Sequence, residues 1–436
     1  MKRIPLILII LTLVVATHAS CSPYPGTPVV QAPPEQISLE AIEPEMPENP
    51  HQPEVSELEP EQPPESSEIS EPKIPENQEV PEPDSKSANY TEAIDSTILE
   101  IASGSFHSLA IMSDNSLWAW GDNIFGQLGD GTTINRHSPI KIMDDVIAVS
   151  AGPAFNLAVT NDGSLWAWGD NRFGQLGDGT TTNHFSPIKI MDDVVAVSSG
   201  NAHNMAILSD GSLWAWGNNS LGQLGDGTTT ERHLPVKIMD GVVAVSAGFF
   251  HNLAILNDGS LWAWGRNEFG MLGDGTTVDS HSPIKIMDDV IAVSAGSLHS
   301  MAIASDGSLW TWGDNGAGQL GDSTTTSHYS PIKVMDNIIA VSAGLVHSMA
   351  IMSDGGLLEW GMNQFIILAD SVIHVQVRRM DDVISISGGN FHSMAITSDG
   401  NLWTWGQNEF GQLGNGSVTY SEVPVKVEFF SQSQGM

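Results

Sequence analysis

The 436-residue chain carries 52 acidic and 16 basic side chains, a formal net charge of -36 at pH 7. A phosphate-binding surface needs clustered Lys and Arg, and both residues 1–95 (18 acidic, 4 basic) and the remainder are acidic, which argues against a nucleic-acid partner. Cys21 is the single cysteine, so an intrachain disulfide framework and a cysteine-based zinc site are excluded.

Met1-Lys2-Arg3 is a short basic start, Ile4 to Ala16 is an apolar run, and Thr17-His18-Ala19-Ser20-Cys21 supplies small residues for processing. Residues 1–21 read as an export signal, too short for an ordinary spanning helix. Ala19-Ser20-Cys21 resembles the end of a bacterial lipoprotein signal, with His18 departing from the usual aliphatic residue. That resemblance implies lipidation of Cys21 and membrane association. Simple secretion after Ala19 and a retained signal anchor are the alternatives. Residues 22–95 are rich in Pro and Glu, with no aromatic between Tyr24 and Tyr90. Such a stretch buries too little apolar area to offset its ordering entropy, and is expected to be a disordered linker or stalk.

A repeat occupies residues 96–430, leaving 431–436 as a tail. Its marker is Ser116-Leu117-Trp118-Ala119-Trp120-Gly121, and the closing glycine returns at 169, 217, 265, 313, 361 and 406. Each unit has four short runs rich in Val, Ile and Trp, such as Ile147 to Ala151, Leu157 to Val159, Leu165 to Gly169 and Pro187 to Ile190. Bounded by Gly, Asp or Asn, these read as strands. Asp162-Gly163 and its copies supply tight hairpin turns between the second and third runs; Asp114-Asn115 fills that place in the first unit. Four antiparallel strands, repeated seven times, predict an all-β seven-bladed propeller, because a blade covers its two apolar faces only by stacking on neighbours. The closing Pro424 to Val427 run is expected to complete the first blade as a clasp.

The succession Gly296 to Ile303, Asp306 to Asn315 and Gly318 to Gly321 resembles the regulator-of-chromosome-condensation repeat, over residues 98–428. The resemblance implies a seven-bladed propeller. The family's founder is an exchange factor for a small GTPase, also binds chromatin, and uses an inserted wedge, for which these even units leave no room. A plant relative senses ultraviolet light through tryptophans beside arginines, which are scarce here. Exported bacterial relatives include an inhibitor whose loops grip an enzyme, which implies protein binding.

Six histidines (His107, His203, His251, His299, His347 and His392) share one position of the unit, with Phe155 as the seventh. They are expected to bond backbone at blade junctions rather than converge on a metal. The thirteen tryptophans all lie in the Trp-x-Trp positions and read as packing. Asp130-Gly131-Thr132 and its copies lack the dense carboxylates of a calcium cage and read as Asp-stabilised turns. No unit holds a catalytic constellation the others lack, so neither catalytic residue nor cofactor is assigned. The candidate binding residues lie where the units disagree: Phe106, Phe249, Phe250 and Phe391 after the repeated glycine, and Phe125, Arg172, Phe173, Arg266, Phe269, Phe365 and Phe410 after Trp-Gly. The sixth unit departs most, with Ile366 and Ile367 in place of glycine-rich loop residues and Glu359 inside its Trp-x-Trp motif. These features point to a monomeric, exported propeller that binds an unidentified protein or a cell-wall or surface ligand. An exported polysaccharide-acting enzyme is the alternative, and nucleotide exchange on a small GTPase a more distant one.

Overall fold

The computed structural model describes residues 97–362 and 376–429. The signal, Cys21, the linker, the tail, and Phe365, Ile366 and Ile367 lie outside those residues. Twenty-eight strands are described, in seven four-stranded sheets. The first sheet sets the pattern: β1 (Ile98–Ser103), β2 (His107–Met112), β3 (Leu117–Gly121) and β4 (Arg136–Met143) pair antiparallel in chain order. The first strands of the other blades are β5 (Val146–Ala151), β9 (Val194–Ser199), β13 (Val242–Ala247), β17 (Val290–Ala295), β21 (Ile338–Ala343) and β25 (Val383–Gly388). Each touches the next, and β25 touches β1, so they encircle the axis while the fourth strands lie outermost. This is a seven-bladed propeller.

Burial follows radial position. Every residue of β2 is buried, because both of its faces meet neighbouring blades, and its sequence is accordingly almost unbroken in apolar character. β4 is half-buried or exposed at seven of its eight positions. Seven apolar clusters result, each built from two adjacent blades; Leu109, Ile111 and Leu117 of the first blade, for example, pack with Val146, Val149 and Trp168 of the second. The core therefore lies between blades rather than inside them.

The clasp expected from the sequence does not form. β28 (Ser421–Lys426) pairs with the third strand of its own blade, and β1 to β4 are all supplied by residues 98–143. Closure instead uses the contacts of the other junctions, supplemented by the segment after β28. Phe429 sets its ring edge-on to Trp118 and Trp120, at 5.6 and 5.9 Å between centroids. The ring is fastened there by side chains, not by an exchanged strand.

The loops sort onto two faces. The β2–β3 hairpins and the turns between blades, such as Asp144-Asp145, lie at one end of the strands, here the hairpin face. The β1–β2 and β3–β4 connections lie at the other, the loop face.

Candidate functional site: the loop face

The repeated motifs are the lock between blades. The second tryptophan of each pair is fully buried, and its indole N–H reaches back to the preceding blade. Trp168 donates to the Gln127 carbonyl at 2.9 Å, Trp216 to Gln175 and Trp264 to Gln223 at 3.0 Å, and Trp120 closes the ring on Gln412 at 2.9 Å. The acceptor belongs to the Gly-Gln-Leu-Gly loop, whose last glycine has positive φ and lies under the same indole: a Cβ on Gly129 would stand 2.8 Å from Trp168 Nε1. The first tryptophan has a different task. Trp118, Trp214, Trp262 and Trp310 each donate to the serine hydroxyl of their own hairpin, at 2.9–3.0 Å.

The histidines are junction residues too, through their side chains rather than backbone. His107 Nε2 lies 2.8 Å from Asn156 Oδ1 of the next blade, and His251 Nε2 lies 2.9 Å from Ser300 Oγ. Asn156 Nδ2 and Ser300 Oγ donate onward to the Gln127 and Met271 carbonyls, so the histidine must donate from Nε2 and leave Nδ1 bare. Burial holds His107 and His203 down to about 4 and His251, His299 and His392 to about 3, keeping the imidazoles neutral. Phe155 fills the same space, and the amide oxygen of Asn204 opposite it has no partner. Among the described residues no group of three or more His, Cys, Asp or Glu could hold a metal ion.

The Asp-Gly-Thr loops are turns held by the aspartate. Asp130 Oδ1 accepts from the N–H and hydroxyl of Thr132 at 3.0 and 2.7 Å, and Arg136 Nε donates to Oδ2 at 2.9 Å. Asn123, fully buried, donates to the Thr132 and Ile134 carbonyls and accepts from the Leu128 N–H, pinning both ends of the loop. The Gly131 N–H then bonds the Phe185 carbonyl of the second blade. Side chains on these loops are displayed from a fixed frame, as a binding surface requires.

All the described candidate residues stand on this one face. Blades seven, one and two bring six of them into one sector. Phe106 stacks on Phe391 at 5.2 Å and meets Phe410 at 5.0 Å; the Arg172 guanidinium lies 4.9 Å over the Phe125 ring and pairs with Asp170 at 2.9 Å. Phe173 beside it is exposed, and the phenylalanines of the sector are otherwise half-buried. Blade four holds a second group, set apart: Phe249 meets Phe250 edge-on at 4.4 Å, and Arg266, paired with Glu268, lies 5.7 Å from the Phe250 ring. Phe269 is half-buried in the same blade. Asp122, which the sequence marks only as a position where the units vary, sits on this face at 5% exposure; its Oδ1 has no partner, and burial raises its carboxyl above its ordinary value. Its equivalent Asp170 binds Arg172; the absence of an arginine two residues after Asp122 was the available signal.

At the sixth blade the lock changes. Trp405 Nε1 lies 3.4 Å from Glu359 Oε1. Glu359 is fully buried and takes Arg379 Nε on its other oxygen at 2.5 Å. Glu359, one of the departures seen in sequence, thus belongs to this junction.

Comparisons with known proteins agree with this geometry. The model for the regulator of chromosome condensation (RCC1) repeat matches residues 114–159 and 162–207, a second model of that repeat matches 98–127 and 146–175, and the RCC1-like domain matches 192–435. Among solved structures, human WBSCR16 is 23% identical with a TM-score of 0.66, over 72% of this chain and 94% of that one. Yeast RCC1 (Prp20) bound to Kap60 is 21% identical with a TM-score of 0.64, over 78% and 85%. Prp20p from Saccharomyces cerevisiae, in a structure whose description names binding to Gsp1p and histones, is 23% identical with a TM-score of 0.64, over 71% and 85%. At these identities the structures share the fold, while the domain match spans more than half of the sequence. The protein therefore belongs to the RCC1-like domain family.

Proposed function

We propose that the protein is an exported, non-catalytic binding propeller, tethered by lipid on Cys21 and by the acidic Pro-rich segment, that captures a protein or surface ligand with its loop face. The observation that carries this is the sector Phe106, Phe391, Phe410, Phe125, Arg172 and Phe173, partly solvent-accessible on loops fixed from beneath. Aromatic and Arg side chains are the usual anchors of protein interfaces. The ends of the described chain, Thr97 and Phe429, flank the hairpin-face ends of the first and last strands. Yeast Prp20, which shares the fold, is described with the protein partners Kap60, Gsp1p and histones.

The test uses a photo-crosslinking amino acid at Phe173 of the full chain, expressed in cells, with a second at Val418 on the outer side of a loop in blade seven. Reproducible adducts from position 173 that vanish in Phe106→Ser/Phe410→Ser are expected. Adducts unaffected by that pair would refute the sector. The tether is tested separately: Cys21→Ala should move the protein out of the membrane fraction and abolish palmitate labelling, and unchanged fractionation would remove the lipid anchor from this reading.

A further inference from the structure

The first strand of each blade carries a repeated feature that the loop face does not use. Near its start the pairing with the second strand slips by one residue. Ile98 faces Met112 and Glu100 faces Ile111, leaving Leu99 unpaired, and the same slip recurs in the other six blades. The extra residue of such a bulge is turned out of the ladder. It is aliphatic every time: Leu99, Ile147, Val195, Val243, Ile291, Ile339 and Ile384. Val195 is half-buried, and the other six are exposed, from 43% at Ile147 to 56% at Ile291.

Because the first strands encircle the axis, these side chains form an apolar collar around its mouth on the hairpin face. The next residue inward is small in six blades, as at Ala148 and Ser385, and is Glu100 in the seventh. Glu100 Oε1 accepts the Val149 N–H at 3.3 Å, and no Lys or Arg among the described residues is paired with it. A contiguous exposed apolar surface of this kind marks an interaction site more often than a solvated one.

Its surroundings say what kind of partner fits. The turns leading into the inner strands carry aspartates, as at Asp145, Asp193, Asp289 and Asp382, each one residue before its strand begins. The cations of the outer strands are already engaged: Lys141, Lys189, Lys237, Lys285, Lys333 and Arg378 each hold the aspartate three residues on, at 2.5–2.7 Å. The excess is strongly negative. A second copy of this face would meet the collar but set acid against acid. A partner carrying Lys or Arg around an apolar anchor satisfies both features.

We propose that the hairpin-face mouth of the axis docks a basic amphipathic peptide segment. Its aliphatic or aromatic anchor sits in the collar, and flanking cations lie over the aspartates of these turns. The site is separate from the loop face, so a propeller of this design holds two partners at once.

The test is fluorescence anisotropy on the full chain with a labelled peptide Lys-Lys-Leu-Trp-Leu-Lys-Lys, beside a companion with Ser in place of Leu and Trp. Saturable binding is expected, weakened roughly tenfold or more by Ile291→Ser/Ile339→Ser, several-fold by Asp145→Asn/Asp193→Asn, and not at all by Phe106→Ser/Phe410→Ser. The variants change exposed or half-buried groups, and an unaltered thermal melt confirms that they fold. Equal binding of the Ser companion, or indifference to both the collar and the turn-aspartate variants, would mean diffuse attraction to an acidic chain and overturn the proposal. So would sedimentation showing a dimer that the collar variant dissolves, which would make a second copy the occupant.

Discussion

Six of the seven blade junctions and the one between blades six and seven solve the same problem with different chemistry. At the six, a buried indole N–H finds a backbone carbonyl, as Trp360 finds that of Gln319 at 2.9 Å, and the glycine next to the loop leaves room for the ring. At the seventh, the indole of Trp405 faces the carboxylate of Glu359, which is neutralised by Arg379. The histidine contact also loosens there: His347 Nε2 lies 3.4 Å from Ser393 Oγ, against 2.8–2.9 Å at the other histidine junctions. A backbone acceptor needs no counter-charge, whereas a buried carboxylate does. The sixth blade had to change two side chains, Glu359 and Arg379, to keep one tryptophan bonded.

The largest effects should come from removing either lock. Trp264→Ala deletes a fully buried indole and one of the two hydrogen bonds to the Gln223 carbonyl, for an expected loss of about 3–5 kcal/mol in denaturant unfolding. Glu359→Ala leaves Arg379 unpaired and the Trp405 N–H without its acceptor, at about 3 kcal/mol, and the double variant Glu359→Leu/Arg379→Met should recover part of that loss. A neutral Glu359→Ala would mean that the ion pair contributes nothing to this junction.

Acid comes next. The junction histidines keep their protons off until about pH 4 or 3 in the ring, whereas in the unfolded chain they take them up near 6.5. The unfolded state therefore binds more protons across that window, and stability falls as pH drops below about 6.5. Glu100 opposes this: burial pushes its carboxyl up to about 8, so its share of stability is lost as pH rises from about 4.5 to 8. Several histidines against one glutamate leave a clear net direction, and melting at pH 5 should lie several degrees below melting at pH 7. His299→Phe, which copies the arrangement at Phe155, should flatten the profile; an unchanged slope would assign acid sensitivity elsewhere.

The finest distinction is between two glycines of one loop. Gly225 and Gly227 share a φ of +79°, but a Cβ would lie 2.7 Å from Trp264 Nε1 at the first and 3.6 Å from Ser282 Oγ at the second. Gly227→Ala should cost about 1 kcal/mol from backbone strain alone, and Gly225→Ala more, by the indole contact. Equal losses would show that the indole yields to the added methyl group.

The blade count, the strand order within a unit and the hairpin turns were legible because each rests on local periodicity, and Leu165 to Gly169 reads as a strand wherever it is placed. Closure was not legible. Whether Pro424 to Val427 pairs with its own blade or with the first depends on which neighbour its backbone meets, and nothing in a periodic sequence marks that choice. The histidines were rightly read as structural, but their partners sit on the next blade at the residue after its own histidine, a relation that appears only once the units are stacked. The candidate residues were found because they vary between units; the collar escaped because it does not. Ile147-Ala148-Val149 reads as an ordinary strand start, and only the bulge turns its isoleucine outward. The role of Glu359 was half visible: its oddity showed, while its partners Arg379 and Trp405 required the fold.

The chain-continuous blades bear on how this ring can be cut. A propeller clasped by an exchanged strand has one privileged seam, where its ends must remain. Here each of the seven sheets is drawn from one uninterrupted stretch, and the seam between blades seven and one uses the same indole-to-carbonyl bond as five other junctions. The ends of the described chain, Thr97 and Phe429, belong to the blades on either side of that seam. Circular permutation is thus open to this scaffold at turns such as Asp240-Gly241, with a short linker across the old seam. Lineages that gain or lose a blade need only an intact lock on each side of the change.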